Sequence, residues 1–131
     1  MVRAPRIRNS DSFMDMATRL FYERIIFLDS KIDSKVSTLL ISQLLLLQSD
    51  NPNKVIKLYI NSPGGSVYDG LGIYDTIQHI KCPVHTFCVG LAASMASILL
   101  ASGEKGHRYC LPNSKIMVHQ PLGQYSVIIN K

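Results

Sequence analysis

Three short stretches of this chain carry residue types that together make an activated nucleophile. Ser94 lies in Gly90-Leu-Ala-Ala-Ser-Met-Ala-Ser97, between an apolar strand-like run and a small-residue helix pattern. His119 stands at the end of a later apolar run, and the Gly64-Gly65 pair follows Ser62-Pro63 at the end of an earlier one. A hydroxyl beside an imidazole that can take its proton, under backbone N–H groups that meet a developing oxyanion, performs acyl transfer. The expectation is therefore a serine hydrolase with Ser94 as nucleophile and His119 as general base. The N–H of Met95 supplies one oxyanion donor, and the Gly-Gly pair, free to bring backbone close to a substrate, a second.

Each feature has a plainer reading when taken alone. A serine in a small-residue helix usually packs or caps, a histidine at a strand end is usually structural, and Gly-Gly after Ser-Pro is usually a turn. It is the combination that points to chemistry. The Gly-Gly segment lacks the GK[ST] ending of a phosphate loop, and Ala92 and Ala96 stand where a GxSxG elbow needs glycines. Ser97, one helical turn past Ser94, is expected to face the packing. His79 reads as a surface helix residue, and His85 and His107 lie in or near strands without a matching serine. No metal ligand set is assigned.

The elements that position these residues alternate. Residues 12–22 place Phe13, Met16, Leu20 and Phe21 at helical spacing, with Asp11 or Ser12 as cap. Arg24 to Leu28 reads as a short strand. Asp33 or Ser34 caps a helix from Lys35 to Gln48, apolar on so many sides that a neighbouring subunit is expected to cover part of it. A strand from Val55 to Asn61, a helix from Tyr68 to Ile80, a strand from Val84 to Val89 and a helix from Ala92 to Ser102 follow. Two short strands, His107 to Leu111 and Lys115 to His119, come last. Repeated βα alternation predicts an α/β fold with a mostly parallel sheet, whose ligand crevice lies at the strands' carboxyl ends. All three chemical stretches fall at such ends.

Composition bounds the class. With 131 residues, 47% apolar and 18% charged, the chain has material for one packed domain. Cys82, Cys88 and Cys110 form no CxxC pair and are odd in number, which argues against a disulfide framework or zinc cluster and for a reducing compartment. The net charge of +5 gathers partly in the first dozen residues, but no aromatic-basic interleaving or helix-turn-helix pattern accompanies it, so nucleic acid is not an expected partner. The apolar run Thr38 to Leu47 is about half a membrane span, so a membrane is not expected either.

Longer strings now carry a resemblance to a family. YINSPGGSV (Tyr59 to Val67), the helix run Leu71 to Gln78, CVGLAASMAS (Cys88 to Ser97), KGHRYCLPNS (Lys105 to Ser114) and IMVHQPLG (Ile116 to Gly123) resemble the proteolytic subunit of the ATP-dependent Clp protease, in order, from Phe13 to Gly123. The resemblance implies a crotonase-like α/β fold and a serine endopeptidase that cuts unfolded polypeptides into short peptides inside an oligomeric chamber. It makes Ser94 the nucleophile, His119 the base, and Gly65 and Met95 the oxyanion amides. It implies heptameric rings of like subunits, an AAA+ unfoldase that uses the ATP, and no cofactor in this chain. Residues 1–12 match the arm at the axial entrance, and 13–131 form one domain.

Three departures from the family pattern stand out. Leu91 replaces a frequent glutamine, Tyr68-Asp69 replace small residues after SPGGSV, and the family's triad aspartate and handle helix have no counterpart before Lys131, with no Asp or Glu after Glu104. The expectation is a shortened domain in which peptide hydrolysis by this chain alone is feeble. The alternative is a structural subunit of a mixed ring. Acyl-CoA chemistry on the same fold would need paired glutamates that the crevice loops lack. A cytoplasmic location is expected, with plastid stroma or mitochondrial matrix as alternatives.

Overall fold

Alternation of apolar and polar residues builds the sheet. In Ile56–Ser62, Ile56, Leu58 and Ile60 are buried while Lys57 and Asn61 are exposed, the period-two pattern of a strand with one packed face. The computed structural model describes residues 6–9 and 12–118. In chain order the elements are β1 (Arg6–Asn9), β2 (Ser12–Asp15), α1 (Met16–Tyr22), β3 (Ile25–Leu28), α2 (Ser34–Asp50) and β4 (Ile56–Ser62). Then come α3 (Val67–His79), β5 (Val84–Ala93), α4 (Met95–Ala101), β6 (Arg108–Cys110) and β7 (Lys115–Met117). β3, β4, β5 and β6 lie side by side in that order, and β7 joins the β6 side of β5 further along, every pair parallel. The expected α/β fold with a parallel sheet is the one observed.

Helices cover one face of this sheet. The Asp33 carboxylate caps α2 by accepting from the Val36 N–H at 2.8 Å, and Leu40, Leu44 and Leu47, spaced by four and three, form its buried stripe. They pack with Ile73 and Ile77 of α3, Leu99 and Leu100 of α4, and the inward residues of the strands, Ile26, Leu28, Leu58, Ile60 and Cys88 among them. Each fully buried Leu or Ile in this layer contributes roughly 2 kcal/mol of transfer free energy. The opposite sheet face carries a row of rings across four strands. Phe27, Tyr59, Phe87 and Tyr109 follow one another with centroids 5.7, 4.6 and 5.0 Å apart. No helix among the described residues is long and apolar enough to cross a membrane.

The structure corrects two boundaries. Residues 12–15 are not the start of a helix but a strand, paired antiparallel with Arg6–Asn9, so part of the basic arm is a hairpin. Helix α1 starts at Met16, where Asp15 rather than Asp11 or Ser12 caps it, accepting from the Thr18 N–H at 2.7 Å. Ala92 and Ala93 likewise belong to β5 and not to the following helix. They are good helix formers, but pairing with Ile116 and Met117 holds them extended, so tertiary contacts outweigh propensity.

Arg24 joins the layers. It is 8% exposed and adopts φ 64°, and its guanidinium donates to the carbonyls of Leu47, Asn51, Lys54 and Val55 at 2.9–3.2 Å and to Asp50 Oδ2 at 3.3 Å. One side chain thus satisfies the C-terminal carbonyls of α2 and the loop into β4, groups that a helix end otherwise leaves orphaned. Arg24→Met, which keeps the stem and removes the donors, is expected to cost about 3 kcal/mol because several buried carbonyls lose their partner. Urea unfolding measures it, and a loss under 1 kcal/mol would mean that water replaces the guanidinium.

Candidate active site

The strand-to-helix corner after β5 is the most constrained backbone of the sheet rim. Ser94, between Ala93 of β5 and Met95 of α4, has φ 54° and ψ −123°, a region that costs a non-glycine residue about 1–3 kcal/mol. Its position is that of a helix N-cap, yet its side chain makes no capping hydrogen bond. The bland reading of Ser94 as a cap is thereby excluded. Its backbone is held at both ends: the N–H donates to the Met117 carbonyl at 2.9 Å, and the carbonyl accepts from the Ser97 N–H at 3.0 Å and hydroxyl at 2.5 Å. Ser97 is buried, as its expected place in the packing requires. Ser94 itself is half-buried.

The Ser62-Pro-Gly-Gly turn closes over the same corner. A Cβ on Gly64, which has φ +92°, would lie 2.7 Å from the Ala93 carbonyl oxygen, 3.0 Å from Ser94 Cβ and 3.1 Å from the Met95 nitrogen. Only glycine lets the two loops approach so closely. The Gly64 N–H is taken by the buried Ser62 hydroxyl at 3.1 Å, and its carbonyl accepts from the Ile32 N–H at 2.9 Å. The Ser66 N–H donates to the Ile32 carbonyl. The N–H groups of Gly65 and Met95 have no acceptor among the described residues. The Ala96 N–H, one residue further into α4, likewise has no acceptor among the described residues.

His119 lies outside the described residues. The strand that leads to it does not: β7 pairs Met117 with Ala93, so the chain is delivered to the Ser94 corner two residues before the histidine. The other residues with nucleophilic or basic chemistry are elsewhere. Burial pushes the Cys88 thiol up, only partly offset by a hydrogen bond with Ser114 and reinforced by Cys110, so it is a poor thiolate source. His79 is an exposed residue of α3, as expected.

A Clp protease family model matches residues 8–130. The chain belongs to the Clp protease family. A curated relative, the ATP-dependent Clp protease proteolytic subunit 1 of Prochlorococcus marinus (strain MIT 9312), is 56% identical over 114 residues, which cover 87% of this chain and 58% of the relative. The chain therefore spans little more than half the length of that curated relative.

Several residues that shape this Clp-family corner carry no obvious signal in the sequence. Asn61 accepts from the Leu91 N–H at 3.2 Å through its side-chain oxygen and so ties the end of β4 to the bend of β5 at Gly90. Ser62 is recognisable only as the first letter of SPGG. The Met117 carbonyl, which fixes Ser94, has no side-chain signal at all. Gly64→Ala tests the close approach: positive φ and a 2.7 Å backbone contact together are expected to cost at least about 2 kcal/mol. Thermal unfolding against the parent protein measures it, and an unchanged Tm would show that the two loops separate freely.

Proposed function

We propose that this chain is a serine endopeptidase subunit of the ATP-dependent Clp type, with Ser94 as nucleophile and His119 as general base and later acid. The observation that carries the reading is Ser94 itself: a strained, uncapped serine at a strand-to-helix corner, with the Gly64 turn closed against it. In the mechanism His119 takes the hydroxyl proton as Ser94 Oγ attacks the peptide carbonyl, and the N–H groups of Gly65 and Met95 meet the negative charge that develops on its oxygen. His119 then protonates the leaving amine; it next takes a proton from water, which attacks the acyl carbonyl, and returns that proton to Ser94 Oγ as the ester bond breaks. Ser94's backbone is already held by Met117 and Ser97, so the Cα from which its hydroxyl projects is fixed before substrate arrives.

The same reading makes the substrate an unfolded polypeptide and the partners like subunits in rings and an AAA+ unfoldase that spends ATP, with no cofactor bound by this chain. The relative's name, a proteolytic subunit of an ATP-dependent protease, supports this. So does the outer side of α2, where Leu39, Leu45 and Leu46 are 62%, 46% and 59% exposed. Leu39 and Leu46, with Ala17 and Phe21 of α1, line a largely apolar groove of about 370 Å³ that suits a neighbouring subunit.

Fluorophosphonate labelling tests the nucleophile. The parent protein is expected to label at Ser94, Ser94→Ala not at all, and His119→Ala at least about a hundredfold more slowly, since activation of the hydroxyl is lost. A folded parent that never labels would instead favour the structural-subunit alternative, and equal labelling of Ser94→Ala would move the nucleophile elsewhere. Assembly is tested separately. Leu46→Glu is expected to shift sedimentation toward smaller species while leaving the far-ultraviolet circular dichroism unchanged, and an unaltered distribution would remove this groove from the subunit contact.

A further inference from the structure

A second cluster of chemically capable side chains lies at the other end of β5, roughly 30 Å along the strand from Ser94 at about 3.3 Å per residue. His85 follows the first residue of β5, and His107 immediately precedes β6. The β5–β6 register, Thr86 to Arg108 and Phe87 to Tyr109, makes His85 and His107 cross-strand neighbours, on the face that carries the aromatic row. Their imidazoles stack with centroids 4.0 Å apart, and His85 Nε2 lies 3.1 Å from Glu104 Oε2. One ligand atom from each of His85, Glu104 and His107 falls within 4.8 Å of the other two.

We propose that His85, Glu104 and His107 bind a late first-row divalent metal ion of the zinc, cobalt or nickel class. Two imidazoles and one carboxylate select such ions over magnesium or calcium, which prefer all-oxygen sites. Backbone hydrogen bonds tie together the segments that carry the three donors before any ion arrives. The Glu104 N–H donates to the Val84 carbonyl at 2.8 Å, the His107 N–H to the Glu104 carbonyl at 2.9 Å, and the Thr86 N–H to the His107 carbonyl at 3.1 Å, so the turn carrying two ligands is laced to the strand carrying the third.

The outer shell has the right chemistry as well. His107 Nδ1 lies 3.1 Å from the Tyr109 hydroxyl, a contact that occupies Nδ1 and leaves Nε2 for the metal. Parallel stacked rings point their lone pairs side by side, and capture requires them to tilt about χ2, a broad torsion. With three protein donors, the ion keeps a fourth position for water or an incoming ligand. The site is separate from the Ser94 corner and does not depend on the reading given to it.

Cobalt(II) titration of the full chain, followed by visible absorption and by displacement with zinc, is the test. One saturable equivalent with the intense bands of low-symmetry four-coordinate cobalt is expected, weakened at least about tenfold in both Glu104→Gln and His107→Gln and unchanged in Cys110→Ser. Glu104 is exposed, so that variant keeps the fold, and its apo melting curve verifies this. The proposal is overturned by failure to saturate, by less than tenfold weakening in either variant, or by a thiolate-to-cobalt charge-transfer band that vanishes in Cys110→Ser.

Discussion

The close approach of Gly64 to the Ala93–Met95 corner is the constraint around which the rim is built. A backbone that admits no Cβ between the two loops fixes the distance between the end of β4 and the end of β5. Strain at Ser94 is tolerable because neighbours over-determine it: Met117 holds its N–H, Ser97 its carbonyl, and Gly64 the space beside it. Stored strain of this sort persists only where surrounding hydrogen bonds cost more to break than the strain releases.

β5 transmits this order through the sheet. Its ten residues pair with β4 on one side and with β6 and then β7 on the other, so one strand joins the cluster at His85 to the corner at Ser94. Arg24 does comparable work at the opposite edge of the layer, where its single guanidinium gathers the carbonyls that end α2 and begin the run into β4. The two sheet faces then differ sharply. One is packed by aliphatic side chains from three helices, while the other shows a row of stacked rings with Phe27 and Tyr109 partly open to solvent. Both that row and the leucines outside α2 are surfaces on which contacts with other chains can form.

Elements with an unbroken period were legible in the sequence. α2 and α3 appear within two residues of their expected bounds because Leu40, Leu44 and Leu47, and Ile73 and Ile77, repeat at helical spacing, and β4 appears because its alternation is clean. The helix expected over residues 12–22 failed at its first turn, since Phe13 and Met14 are drawn into a hairpin with Ile7 and Arg8 that no local preference announces. β5 ran longer than expected for the same reason: small residues near Ser94 look helical until β7 pairs with them.

The sequence by itself determined the family, the order of the βα units and the residue types at the rim, because long motifs and hydrophobic periods are local properties of the chain. Which residues meet was decided by tertiary structure. Nothing in the spacing of His85, Glu104 and His107 matches a ligand signature, and nothing in GLAASMAS states that its serine is strained rather than capping. Parallel pairing sets both, since it brings strands distant in sequence into register and leaves each backbone only the conformation that its neighbours permit.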